Sequence, residues 1–281
     1  MTRFRERIET LISSEDYSEE ERDRLVRLML LFVELPAPPD PDGDFPKYGE
    51  YKERFLTCAA DKDGETLEEA FLNLYAHLHM HEAKYTDEER QRMDEAGGYW
   101  GHAGGLSPIL KAAPWIRPDT VSADLGAGNG LQGLLLQYLY PHEKTVQIEI
   151  SKRMLEIGKR LQAWLGIPNE KVEWVAGDVC DQALDGMDFI YLYRPVRPST
   201  EKGRAFYENL AELLGRSHGQ VVIFSIADCL REFLSPRFEI LYDDGHLTCF
   251  RSAEELSGEK KTDLKSSSMK RPDSKPEARR Q

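Results

Sequence analysis

Apolar positions fall into two regimes along the 281-residue chain. Residues 1 to 96 carry helix signals and almost no strand signals. Ser18 followed by Glu19, Glu20 and Glu21 predicts an N-cap with acids in the first turn, and the dense apolar run from Leu25 to Leu35 predicts a buried helix. The proline-rich stretch PAPPDPDGDFP (36–46) breaks it. A second helical group follows, including EEAFLNLYAHLHMH (68–81) and a capping box from Thr86 to Glu89, until Gly97 and Gly98 stop the chain.

From about residue 106 the rhythm changes to strand and helix in alternation, the pattern of a parallel sheet covered on both faces. Strands are expected near 120–125, 144–150, 171–176, 187–193 and 219–226, and helices near 106–114, 129–140, 151–165, 200–214 and 228–234. Two further strands, RFEILYD (237–243) and HLTCFRS (246–252), flank Asp244 and Gly245, a strong hairpin turn. After Ser257 one leucine and one methionine are the only large apolar residues, which predicts disorder. The expected fold is α/β, with a mostly parallel seven-stranded sheet, helices on both faces and a C-terminal antiparallel hairpin, preceded by a helical region. The expected division is a helical cap (1–98), a sheet domain (99–256) and a basic tail (257–281).

The loop VSADLGAGNGLQG (121–133) admits two parses. From Gly128, through Gly130 to Gly133, it spells G-x-G-x-x-G, the turn that cradles a dinucleotide's pyrophosphate. From Asp124 it spells D-x-G-x-G-x-G, with an acid just before Gly126, Gly128 and Gly130. In both parses glycine lets the backbone turn sharply out of a strand and lets a ligand approach its N–H groups. The acid separates them. Two like charges about 4 Å apart cost about 4 kcal/mol at the effective dielectric of a protein surface, so Asp124 opposes a pyrophosphate and favours an ammonium group.

On these residues the chain resembles the class I S-adenosylmethionine-dependent methyltransferases, whose first motif is D/E-x-G-x-G-x-G. The resemblance covers about residues 100 to 252 and implies a Rossmann-like sheet and S-adenosyl-L-methionine as cofactor. It implies that Asp124 and the three glycines hold the cofactor's amino-acid end. Glu149, at the end of TVQIEIS and 23 residues after Gly126, would accept the ribose hydroxyls; Asp178, after Gly177, would meet the adenine amine. An acid at the position of Glu149 also suits NAD enzymes, so an NAD(P)-dependent oxidoreductase using Gly128, Gly130 and Gly133 is the rival enzyme class. A scaffold that keeps the cofactor but transfers nothing is a third reading.

In the family the segment after the fourth strand faces the reacting methyl. Here it reads DFIYLYRPVRP (188–198), departing from the N-P-P-Y and D-P-P-Y of enzymes that methylate exocyclic or amide nitrogens. Tyr193 would orient an amine or hydroxyl and Arg194 would grip a carboxylate; the alternative has Tyr191 and Tyr193 packing on one face of a strand. Upstream, GGYWGHAGGLSP (97–108) reads either as a mobile lid, with His102 as the candidate base, or as a plain glycine-rich linker.

Charge bears on the acceptor. The chain's formal net charge is −13, and residues 257 to 281 hold eight Lys/Arg against four Asp/Glu, which leaves −17 on residues 1 to 256. Such a body repels phosphate backbones, so nucleic acid is a disfavoured partner and an amine-bearing small molecule or protein side chain is favoured. Four scattered cysteines without a C-x-x-C pair read as reduced packing residues. No apolar stretch approaches the roughly 18 residues of a membrane span, and a cytoplasmic protein is expected. In HLHMH, His77 and His81 share a helix face while His79 points away; without H-E-x-x-H or a cysteine partner this reads as an ordinary helix face, and no metal site is expected.

Overall fold

The computed structural model describes residues 8–9, 17–61, 64–80, 86–98, 105–216, 219–227 and 229–253. Among the described residues, helices α1 (Glu19–Glu34), α2 (Tyr48–Asp61), α3 (Gly64–Met80), α4 (Asp87–Ala96) and the short α5 (Ser107–Lys111) precede the sheet. The capping signals act as expected. Ser18 accepts from the Glu21 N–H while Glu21 accepts from the Ser18 N–H, and Thr86 and Glu89 repeat the arrangement at α4. Gly97 ends α4 in the left-handed conformation, φ 73.

The sheet strands are β1 (Val121–Leu125), β2 (Lys144–Glu149), β3 (Val172–Ala176), β4 (Phe189–Tyr193), β5 (Val222–Ile226), β6 (Phe238–Asp243) and β7 (Leu247–Ser252). Between them run α6 (Leu131–Leu139), α7 (Lys152–Trp164) and α8 (Glu201–Arg216). Every strand falls where the alternating pattern put it. Two helices differ. The one expected over 106–114 shortens to α5 plus a 3₁₀ turn at Ala113–Trp115, because Pro114 supplies no N–H to continue the ladder. The one expected over 228–234 is a set of turns on the Leu230 carbonyl, squeezed between left-handed Ala227 (φ 62) and Pro236. The tail (257–281), residues 99–104 with the candidate base His102, and His81 lie outside the described residues.

Strand order is β3-β2-β1-β4-β5-β7-β6, parallel except for β7, which runs antiparallel to both β5 and β6. This is the Rossmann-like sheet with a terminal hairpin that the class I methyltransferase resemblance implied. The hairpin turns through Asp244, Gly245 (φ 84) and His246, with the Asp244 carboxylate accepting from the His246 and Leu247 N–H groups.

Side chains alternate between two cores, as strand geometry requires. Ala123, Leu125, Val146, Ile148, Ile190, Leu192 and Ile223 face one way and pack with α8 residues Tyr207, Leu210 and Leu214. Phe189, Tyr191 and Phe224 face the other, in a core continuous with Phe32, Phe55, Phe71 and Tyr75 of the N-terminal helices and with α6 and α7. The helical region thus shares a core with the sheet rather than forming its own. Asp44 clips it to α7: its carboxylate, almost wholly buried, receives Arg153 at 2.6 Å and Arg160 at 3.0 Å.

Candidate active site

Strand order reverses between β1 and β4, and in open α/β sheets ligands bind outside the carboxyl ends of the strands at that point. A cleft opens there, with about 1090 Å³ of space including the part open to solvent. Its lining runs across four neighbouring strands: Gly177 and Asp178 after β3, Glu149 on β2, Asp124 and the glycine loop on β1, and Tyr191 and Tyr193 on β4.

The glycine loop shows why glycine stands where it does. Gly126 (φ 77) and Gly128 (φ 58) have left-handed backbones, and a Cβ on Gly126 would lie 2.8 Å from the Pro195 Cβ. Gly130 (φ 69) starts α6, and a Cβ there would meet the Trp174 ring at 2.7 Å. Its role is close packing of helix on sheet, and it does not line the cleft.

Asp124 ends β1 on the polar face, 4 % exposed, next to Tyr191 in register on β4. One side of its carboxyl is met by the Gly133 N–H, whereas Oδ2 is buried with no partner among the described residues. Burial lifts its pKa from 3.8 to about 7; the Gly133 N–H opposes this and the Glu149 charge adds to it. A buried acid with an idle oxygen is costly unless a cation or donor completes it. Glu149 is 8 % exposed, and its two oxygens accept from the Gly128 N–H and the Ser151 N–H, each at 2.9 Å. Burial raises its pKa, and these N–H groups pull it back. It therefore braces the loop as well as facing the cleft. Asp178 caps the next turn by accepting from the Cys180 N–H at 2.8 Å.

The N-terminal helices close one side. Asn129, inside the motif, donates to the Leu78 carbonyl at the end of α3 at 2.7 Å, and Ser151 donates to Glu89 of α4 at 2.7 Å. The Tyr75 hydroxyl donates to Gln132 of α6, and Gln132 donates to the Gly105 carbonyl. Gly98 bridges to Val196 beyond β4, and the Arg197 N–H donates to the Gly97 carbonyl at 3.0 Å. His79 and Met93 from this region line the cleft.

Of the residues expected from sequence, the cleft brings together Asp124, Gly126, Gly128, Glu149, Asp178 and Tyr193. Arg194 does not line it; its backbone is left-handed at φ 38. Tyr191, Gln132, His79 and Met93 were not singled out for the site. Tyr191 had a signal, being two positions from Tyr193 and level with Asp124, but the register that pairs β1 with β4 is not visible in a strand's own sequence. His79 was expected to point away from the face of His77, and it does: His77 packs on Tyr51 and accepts from the Lys47 N–H, whereas His79 lines the cleft. Among the described residues no cluster of ligating side chains suits a metal ion, and no helix is long and apolar enough to cross a membrane.

Comparison with protein-family models and with curated proteins finds no match. Solved structures do show likenesses. An RNA methyltransferase from Salinibacter ruber in complex with S-adenosyl-L-homocysteine is 20% identical over 55% of this chain and 93% of that one, with a TM-score of 0.41. An rRNA methylase from Streptococcus thermophilus is 14% identical over 53% and 95%, TM-score 0.39. A geranyl diphosphate C-methyltransferase from Streptomyces coelicolor, in complex with magnesium, geranyl diphosphate and S-adenosyl-L-homocysteine, is 14% identical over 52% and 53%, TM-score 0.35. Likenesses of this degree decide nothing about the acceptor, and the fold rests on the strand order itself.

Proposed function

We propose that this chain is an S-adenosylmethionine-dependent methyltransferase acting on a small molecule or a protein side chain. The observation that carries the reading is Asp124 Oδ2, buried and unpartnered beside the glycine turn. A pyrophosphate there would face a carboxylate across a short distance; an α-ammonium would supply the missing donor and favour the ionised form. The other donors and acceptors fit the same molecule. Glu149 has free lone pairs for a ribose diol, and Asp178 is placed for an adenine amine one strand further along. When bound, the cofactor supplies a methyl group on a sulfonium. The chain's part is to hold the amino-acid end, to keep water from the cleft with the helices over it, and to align an acceptor at the β4 side.

Thermal unfolding with added ligand tests this. A ligand at a hundred times its dissociation constant adds about 2.7 kcal/mol of stability. S-adenosylhomocysteine is expected to raise the midpoint of the wild-type protein and to lose that effect in Asp124→Ala, with NADH inert. A shift with NADH and none with S-adenosylhomocysteine would replace this reading with the oxidoreductase.

A further inference from the structure

A second buried polar atom in the cleft is left idle. The Tyr191 hydroxyl, on a residue 3 % exposed, has no hydrogen-bond partner among the described residues, and the residue lines the same cleft as Asp124. Its neighbours do not serve it. The Tyr75 hydroxyl is spent on Gln132, and the Gln132 amide on the Gly105 carbonyl. Following the strands in order, the cleft offers Asp178 after β3, Glu149 on β2, Asp124 on β1 and then Tyr191 on β4. Under the proposed reading, on which this inference rests, the first three are occupied by the cofactor from adenine to ammonium. Tyr191 is the next buried polar group, on the side where the acceptor must lie.

The lining also restricts the acceptor's chemistry. Among the described residues it contains no lysine and no arginine, and Arg194, the nearest guanidinium in sequence, lies outside it. A carboxylate or phosphate acceptor would enter near Asp124 and Glu149 with no cationic side chain among the described lining residues to pair with it. The same lining includes Tyr193, Val196, Met93 and Phe206, apolar or aromatic surface that suits a hydrocarbon body, together with the His79 imidazole. Burial and the nearby Tyr75 and Asp124 hold the Tyr191 hydroxyl protonated far above neutral pH. It is therefore a hydrogen-bonding group and not a base. A nucleophile that reacts as its free amine, and that carries an N–H to give, matches this hydroxyl.

We propose that Tyr191 positions the methyl acceptor, and that the acceptor is a primary or secondary amine on a small apolar or aromatic body, whose N–H donates to the Tyr191 hydroxyl. The ammonium form of the amine first releases a proton to solvent, and the lone pair so exposed forms the N–CH3 bond. The S–CH3 bond breaks with its electron pair left on sulfur, giving a neutral thioether and leaving the positive charge on nitrogen.

The test uses the full chain and three probes of one shape: benzylamine, benzyl alcohol and benzoate. S-adenosylhomocysteine affinity is first measured by calorimetry in wild type and Tyr191→Phe. It is expected to agree within about twofold, which also shows that the variant is folded. No binding to wild type would remove the cofactor reading itself, whereas a loss confined to Tyr191→Phe would assign the hydroxyl to the cofactor and overturn this inference alone. Ligand-observed NMR on the S-adenosylhomocysteine complex then follows the probes. Benzylamine is expected to bind with benzoate excluded, and Tyr191→Phe to weaken it about tenfold, which corresponds to about 1.4 kcal/mol. With labelled S-adenosylmethionine, label is expected on benzylamine, with a fall in kcat/KM for the amine in Tyr191→Phe and an unchanged KM for the cofactor. Binding of benzoate in preference, or equal benzylamine binding by wild type and Tyr191→Phe, overturns the proposal.

Discussion

The two faces of the sheet are made from the same strands and have opposite characters. Toward α8 the inward positions of β1, β2 and β4 are Ala123, Leu125, Val146, Ile148, Ile190 and Leu192, aliphatic throughout. Toward the N-terminal helices the same strands place Ser122, Asp124, Thr145, Gln147, Glu149, Tyr191 and Tyr193, interrupted by Phe189. Low on that face the polar groups satisfy one another: Ser122 and Thr145 meet the His142 ring at 2.8 and 2.9 Å. At the carboxyl ends Asp124 Oδ2, Gln147 Oε1 and the Tyr191 hydroxyl remain without protein partners among the described residues. Both faces are packed, the second through Phe189 and Phe224 against the N-terminal helices, α6 and α7. The second also holds polar groups in place for something that is not protein, and the helices over it are part of that arrangement.

Substitutions on each face separate these roles, beginning with the largest effect. Leu192→Ala on the aliphatic face removes a side chain with no exposed surface and is expected to cost about 3–4 kcal/mol in urea unfolding. Below the unfolding transition its S-adenosylhomocysteine affinity should stay within about twofold of wild type. A parallel loss of affinity would mean that the faces are not independent. On the other face, Asp44→Ala leaves Arg153 without its carboxylate partner in the segment before α2 and Arg160 with Asp42 alone, at 3.4 Å. Because both arginines retain some exposure, the expected cost is about 2–3 kcal/mol, at the low end for a broken buried pair.

Acidity probes the same face without mutation. In the free protein Asp124 has a pKa raised to about 7, so its contribution to folding is fully present below its unfolded value of 3.8 and is lost as pH rises through about 7. Binding runs the other way, since a cationic ligand selects the ionised carboxylate. S-adenosylhomocysteine affinity is therefore expected to be flat above about pH 7 and to fall by up to about tenfold per unit below it. Asp124→Asn should flatten that profile and, above pH 7, stabilise the free protein. An affinity that rises on acidification contradicts the assignment. The smallest effect is expected from Asn129→Ala, which unclips the motif from the Leu78 carbonyl and should cost about 1 kcal/mol of stability.

Much of this was legible beforehand because it depends on local rules. Capping boxes at Ser18 and Thr86, the helix stop at Gly97 and the alternation from residue 106 onward all act within a few residues, and the structure keeps each one. That Asp124, Gly126, Gly128, Glu149 and Asp178 line one cleft has a related reason: they sit at or just after strand ends, and strand ends can be counted. What escaped depends on register and on contacts distant in sequence. Tyr191 matters because β4 pairs with β1 so that it stands beside Asp124, and His79 matters because α3 crosses the cleft. Gly130 misled in the other direction, since the space it vacates is filled by Trp174 from β3, 44 residues on, and not by a ligand.

The most direct test of the central claim is a crystal structure of the protein with S-adenosylhomocysteine. The α-ammonium is expected within hydrogen-bond distance of Asp124 Oδ2, with the ribose at Glu149 and the Tyr191 hydroxyl left open toward the acceptor side. A ligand seated in the cleft with Asp124 Oδ2 still unpartnered, or with its ammonium held elsewhere, would contradict the account.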